Sequence, residues 1–136
     1  MATTTATLTL SSGDLTGDAL SLSTTTQLTK AGSATGLDQT TGVARKFFAS
    51  TQSNTALIAA ADYTDDKAHK VYIKNISSTA SEYITIKIGA TEVGRLYAGD
   101  FLFMPWSADT TGTAADIDID TSAVNMTVEY IVIYEA

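Results

Sequence analysis

Residues 70–106, KVYIKNISSTASEYITIKIGATEVGRLYAGDFLFMPW, decide the fold class. Four short runs of β-branched and aromatic residues are separated by SSTAS, GA and AGD, which have the composition of turns. In the second run Ile84, Ile86 and Ile88 alternate with polar residues, so these three side chains are expected to share one face of a strand. The stretch therefore predicts a meander of antiparallel strands.

The remainder of the chain extends this pattern. VARKFFA, DIDID and the final run VNMTVEYIVIYEA add strand signals, whereas TALIAAADY predicts either a strand or one helical turn. The final run has two apolar faces, with Val128, Tyr130, Val132 and Tyr134 on one and Ile131 and Ile133 on the other. Such a strand is expected to be central and covered on both sides. Eight to ten short strands with one proline predict an all-β, antiparallel β-sandwich of the jelly-roll kind.

The first 42 residues differ from the rest in being rich in Thr, Ser and Gly. Within them ATLTL and ALSLS alternate apolar with polar residues, and SSGDLTGD between them has turn chemistry. We therefore predict an extended N-terminal arm or hairpin over residues 1–42 and a sandwich body over residues 43–136. Because such an arm buries little by itself, it is expected to lie on the body or on a neighbouring subunit.

Composition narrows the possible functions. A chain of 136 residues that is 44% hydrophobic is long enough for one domain. Its formal net charge of -7 disfavours nucleic acid as a partner, since phosphate backbones attract clustered Lys and Arg. The absence of cysteine excludes disulfides and thiolate metal sites. No signal peptide or membrane-spanning run is recognisable, so we expect a soluble chain without a membrane partner.

Two features could indicate a catalytic or metal-binding site, but neither has the residue pattern that such a site requires. The single histidine, His69, lies in DDKAHK without a nucleophile motif and is interpreted as a solvated loop residue. DIDID resembles the start of an EF-hand loop, but Thr121 and Thr127 stand where glycine and glutamate are needed. Its alternation instead predicts a strand with a solvated acidic face, or a cation shared with another loop or subunit. We expect no enzyme, and no catalytic, cofactor-binding or metal-binding residue.

The aromatic stretch LYAGDFLFMPW, residues 96–106, is the strongest candidate for an interaction site. After the AGD turn, Phe101, Phe103 and Pro105 alternate with Leu102, Met104 and Trp106, so both faces are apolar. The proline predicts a strand at a sheet edge. The strand is either buried on both sides within one sandwich or has one face in a subunit contact. The interface hypothesis comprises Leu8, Leu10, Tyr97, Phe101, Phe103 and Trp106.

The succession VYIKN, YITIKIG, RLYAGDFLFMPW, DIDID and VNMTVEYIVIYEA, within residues 69–136, resembles small β-sandwich structural proteins of tailed bacteriophage virions. Capsid decoration, or cement, proteins are the most similar class. The resemblance implies a virion component on the capsid surface, made in the host cytoplasm and without catalytic residues. It also implies contacts with the major capsid protein or other virion proteins, and a homo-oligomer, most often a trimer.

A receptor-binding, neck or tail-fibre module that binds host glycan is the alternative. Such a module would use exposed aromatic side chains, for example Tyr63, Tyr97 or Trp106, to stack on sugar rings. Glycan binding predicts an aromatic platform beside Asp and Asn on an exposed face, whereas a cement function predicts the same aromatics buried between subunits.

Overall fold

The computed structural model describes residues 2–15, 17–109 and 111–136 and is all-β. It contains eleven strands and one short 3-10 helix, Ala60–Asp62, in these residues. The strands are β1 (Thr4–Ser12), β2 (Leu20–Leu28), β3 (Gln39–Thr40), β4 (Ala44–Phe48), β5 (Thr55–Ile58), β6 (His69–Asn75), β7 (Tyr83–Ile88), β8 (Thr91–Tyr97), β9 (Phe101–Trp106), β10 (Ile117–Thr121) and β11 (Met126–Tyr134). The two-residue strand β3 is the one that the sequence did not predict.

The body is an antiparallel β-sandwich, as predicted. One sheet has the order β5-β10-β7-β8, and the other has the order β3-β11-β6-β9, with β4 pairing β11 on the same side as β3. Apart from the β7–β8 hairpin, successive strands from β4 onward alternate between the two sheets. This order is compatible with a jelly roll, which remains our interpretation of it. Strand β9 lies at a sheet edge, where Pro105 costs no ladder hydrogen bond on its open side.

The core lies between the two sheets and is built from the alternation seen in the sequence. Ile84 and Ile86 of β7 are 0% and 1% exposed. Ile117 and Ile119 of β10 join them from the neighbouring strand, paired with Ile88 and Ile86. The five-stranded sheet contributes Phe48, Val71, Ile73, Trp106, Met126, Val128 and Val132. Because these apolar side chains leave water together, their burial is the main source of stability.

Two local predictions are settled by this arrangement. The final strand β11 is central in its sheet, paired with β6 on one side and with β3 and β4 on the other. Its two outward isoleucines, Ile131 and Ile133, are half-buried, so the strand is central as predicted but is fully covered on one face only. Segment 55–63, which was ambiguous, contains both alternatives, because strand Thr55–Ile58 is followed by the 3-10 helix.

Strands β1 and β2 form a two-stranded hairpin with its own sheet. Its register runs from the Thr4–Leu28 pair at the base to the Ser12–Leu20 pair near the tip. At the base, Leu28 and Leu37 are buried, and the Leu37 backbone N–H donates to the Leu28 carbonyl at 3.0 Å. The hairpin is therefore attached at its base, and contact with a neighbouring subunit stays a prediction.

Candidate interaction surface

The two faces of strand β9 lie in different environments. Leu102, Met104 and Trp106 point into the sandwich and pack on its core. On the opposite face Phe101 is 56% exposed and Phe103 is 44% exposed. The interpretation of two-sided burial within one sandwich is therefore wrong, and the outward aromatic face of β9 is available for contact.

Trp106 does not belong to that available face. Its side chain is 6% exposed, and its indole Nε1–H donates to the Ala115 carbonyl at 2.8 Å. Its ring lies edge-on to those of Tyr63 and His69, with centroids 5.3 and 5.5 Å away. Because the indole N–H is hydrogen-bonded and the ring is buried within the chain, Trp106 is removed from the interface hypothesis.

Tyr97 lies on the other sheet from Phe101 and Phe103. It ends β8, and it faces outward from the four-stranded sheet beside Tyr83, with ring centroids 5.4 Å apart. The AGD turn separates the two aromatic groups: Gly99 adopts a φ of 85°, and the Tyr97 backbone N–H donates to Asp100 Oδ2 at 2.9 Å. A residue other than glycine would strain this turn. The structure therefore does not bring Tyr97 together with the β9 phenylalanines.

The outer face of the five-stranded sheet carries an uncharged row of side chains. Ile131 pairs with Tyr72, and Tyr72 pairs with Phe103, so the three lie side by side across β11, β6 and β9. Phe101 is close to Tyr72, with ring centroids 6.1 Å apart. We call Tyr72, Phe101 and Phe103 the aromatic face.

Burial and the charge of Glu129 raise the pKa of Tyr72, so its phenol stays neutral. Along β6 the tyrosine is flanked on the same face by Lys70 and Lys74. Glu129 of β11, which pairs with Lys74 and lies beside Tyr72, forms an ion pair with Arg45 at 2.8 Å. The surroundings of the aromatic face are thus basic or internally neutralised.

The hairpin also has two contrasting faces. Directly paired residues share a face, so the register places the leucines of both strands together. We call Leu8, Leu10, Leu20 and Leu22 the leucine face; they are between 39% and 45% exposed. The opposite face is made of Thr, Ser and Gln, with a hydrogen bond of 2.9 Å between the hydroxyls of Thr7 and Thr25. Neither strand contains a charged residue.

The leucine face and the aromatic face meet at a cleft. This cleft has a volume of about 450 Å³, and it is lined by Ala6, Thr7, Leu8, Thr24 and Thr26 from the hairpin and by Tyr72 and Phe103 from the sheet. Its volume corresponds to roughly 15 water molecules, taking about 30 Å³ for each. The structure therefore brings Leu8 and Phe103, two members of the interface hypothesis, to opposite walls of one apolar cleft.

His69 is not the solvated loop residue that the sequence suggested. It begins β6 and is 1% exposed, and neither ring nitrogen has a hydrogen-bond partner. Burial lowers its pKa, against smaller effects of the Lys67 backbone and Glu135 that raise it. The residue is surrounded by the rings of Tyr63, Trp106 and Tyr134. Because neither ring nitrogen is hydrogen-bonded, no carboxylate orients the imidazole as in a Ser-His-Asp triad.

The DIDID segment is strand β10, with Ile117 and Ile119 buried as predicted. Its acidic face is less solvated than expected. Asp116 is buried and accepts a hydrogen bond from the Ala60 backbone N–H at 2.8 Å, while Asp120 forms an ion pair with Lys87 at 2.6 Å. Burial, followed by the charge of Asp116, raises the pKa of Asp118. Asp116 and Asp120 thus have structural partners within the chain.

Within residues 2–15, 17–109 and 111–136, no group of three or more potential metal-ligating side chains could hold an ion. Across the same part of the chain, no helix is long and apolar enough to cross a membrane.

No family model matches this sequence, and no curated protein or solved structure is significantly similar to it.

Proposed function

We propose that this chain is a non-enzymatic structural protein of a tailed bacteriophage virion, which decorates the capsid and stabilises it through subunit contacts. The observation that carries the proposal is the exposure of two uncharged apolar surfaces, the aromatic face and the leucine face, on one side of the sandwich. Apolar surface that stays in water is costly, and assembly with another chain removes that cost.

The polar residues support the same proposal. The one histidine is enclosed by aromatic rings, and Asp116 and Asp120 are engaged by a backbone amide and a lysine. These interactions stabilise the fold, which supports a structural role for the three residues over a catalytic one.

The partners follow from the resemblance to decoration proteins. The major capsid protein, or another virion protein, would supply the surface on which this chain sits, and the site of action would be the outside of the capsid. The chain itself would act as a homo-oligomer, with a trimer as the expected form. Its formal charge of -7 keeps it from binding the packaged genome.

The copy number in purified particles tests this proposal. A decoration protein is present in proportion to the major capsid protein, whereas a neck or fibre part is present in few copies. Shells from which the chain has been removed should bind it again, and a variant lacking residues 2–28 should fail to rebind. Circular dichroism of that variant would check that the β body is still folded. A low copy number, or unchanged rebinding by a folded truncated variant, would contradict the proposal.

Glycan binding is the second candidate, and the outward-facing pair of half-buried Tyr83 and exposed Tyr97 favours it. The Arg95 guanidinium lies 4.7 Å from the centroid of the Tyr83 ring, and Asp100 is hydrogen-bonded to the Tyr97 backbone. This is an aromatic pair beside an acidic residue, as a sugar platform requires. If the chain acts in this way, Tyr97→Ala should reduce phage adsorption to host cells, whereas Phe103→Ala should leave adsorption unchanged.

A further inference from the structure

We infer that the leucine face of one copy packs on the aromatic face of a second copy of the same chain, so that the hairpins are exchanged between subunits. Leu10 and Leu22, a directly opposed pair, would lie against Phe101 and Phe103 of the neighbour. The inference identifies another copy of the chain as the partner of the outward leucine and phenylalanine side chains. It concerns self-association and does not depend on capsid binding.

The first argument is the incomplete coverage within one chain. Leu28 at the hairpin base is 4% exposed, whereas Leu8 and Leu10, farther along β1, are each 42% exposed. The cleft between Leu8 and Phe103 separates the two apolar faces where they would otherwise touch. The chain therefore buries the base of its hairpin and leaves the remaining leucines for another surface.

The second argument is charge. A second copy also carries a formal charge of -7, so two copies are expected to meet through surfaces that carry little negative charge of their own. Strands β1 and β2 meet that condition. The acidic residues of the hairpin, Asp14 and Asp18, lie in its tip, and they would approach Lys70 and Lys74, which flank Tyr72. The two surfaces are thus complementary in charge as well as apolar.

The third argument is area. Nine residue pairs at about 3.4 Å per residue and two strands at about 5 Å spacing give the whole leucine-bearing side of the hairpin an area of at most about 300 Å². In a two-fold dimer each copy donates one hairpin and accepts one, so each buries up to about 600 Å² and the two partners together approach the lower limit of about 1,200 Å² for a stable complex. A one-way contact buries about half of this total. The hairpin exchange therefore accounts best for a reciprocal dimer, whereas in a ring of three each pairwise contact is one-way and would have to bury further surface.

Single-cysteine variants test the contact directly, because the parent chain contains no cysteine. Leu10→Cys and Phe103→Cys are made in separate chains, mixed and treated with a short bis-maleimide. Neither chain alone can join position 10 to position 103, so a covalent heterodimer, identified by mass spectrometry of the linked peptides, requires the proposed contact. Thr9→Cys is the matched control, since Thr9 neighbours Leu10 but faces the opposite side of the hairpin.

We expect the Leu10–Phe103 product in high yield and the Thr9–Phe103 product in trace amounts. Equal yields, or no cross-link between positions 10 and 103, would overturn the inference. All three positions are exposed, so cysteine is not expected to unfold the chain there.

Sedimentation of the unmodified parent is the second measurement. It should give a multiple of the 14.3 kDa chain mass, and replacing Leu10 and Leu22 together by serine should weaken association by about 100-fold or more. The paired variant Thr9→Ala and Ser23→Ala, on the opposite face, should associate like the parent. A parent that is monomeric at all concentrations would overturn the inference, even if it binds shells, and the proposed capsid role would then stand alone. Self-association by a chain absent from particles would support the inference and contradict the capsid role.

Discussion

The hairpin and the sandwich body are built from the same sequence pattern and have opposite environments. In β7, the alternating residues Ile84 and Ile86 are almost completely buried, whereas the four leucines of the leucine face, at the same spacing in β1 and β2, remain about two-fifths exposed. The difference is the opposing layer, since β7 faces a second sheet and the leucine face has only a cleft beside it. Period-two alternation thus predicts a strand with an apolar face, but burial of that face depends on the structure opposite it.

The largest expected effect distinguishes the two faces of a single strand. Trp106→Ala should lower the free energy of unfolding by about 3–5 kcal/mol, because it leaves a cavity in the core and an unpaired Ala115 carbonyl. Phe103→Ala, three residues earlier on the outward face, should cost about 1 kcal/mol or less in the isolated chain. Urea denaturation at low protein concentration measures both. Similar losses for the two variants would show that the outward face is buried in the isolated chain.

An intermediate effect tests the comparison between hairpin and body. Ile86→Ala should cost about 2–4 kcal/mol, since the side chain is enclosed by the opposite sheet. Leu22→Ala should cost about 0.5 kcal/mol in the dilute, monomeric chain. The same leucine should become important only at concentrations at which the chain associates. A large loss for Leu22→Ala in the monomer would mean that the hairpin closes on its own body in solution.

The smallest effect concerns pH. Burial holds the pKa of His69 below its ordinary value of 6.5, so the unfolded chain binds more protons than the folded chain as the pH falls. The stability that depends on neutral His69 should therefore be complete above pH 6.5 and decline as the pH falls toward the folded pKa. Tyr63, whose pKa is raised to about 12 chiefly by burial, stays neutral throughout this range.

His69→Phe is the matched variant, since it keeps an aromatic ring and removes both unpaired nitrogens. Thermal melts between pH 7 and pH 5 should show a decline for the parent and a smaller one for the variant. Glu135, held by the Ala31 amide, has a pKa below its usual 4.5, so the stability that it provides is lost at lower pH. Identical pH profiles for parent and variant would show that His69 is not the cause.

The sequence predicted the local structure of the chain better than its long-range contacts. The turn at Ala98-Gly99-Asp100, the edge position of β9 and the central position of β11 each followed from nearby residues. His69 was misjudged because its polar neighbours in the sequence resemble a loop, whereas the rings around it come from distant positions, notably Tyr134. Trp106 was misjudged for a related reason: alternation separates two faces of a strand but does not say which of them turns inward.

The unpaired outer edges of the hairpin affect how quickly the chain would have to assemble under the proposed function. Strands β1 and β2 are each nine residues long, lack proline and charge, and have only each other as extended partners within the described residues. Their outer backbone N–H and C=O groups form two open rows, which are templates for adding a strand from another molecule. If the chain assembles with other copies as proposed, newly made chains carry these rows exposed until they associate. Assembly would then have to be faster than edge-to-edge polymerisation, so the rate of synthesis relative to the rate of assembly would affect the yield of assembled protein.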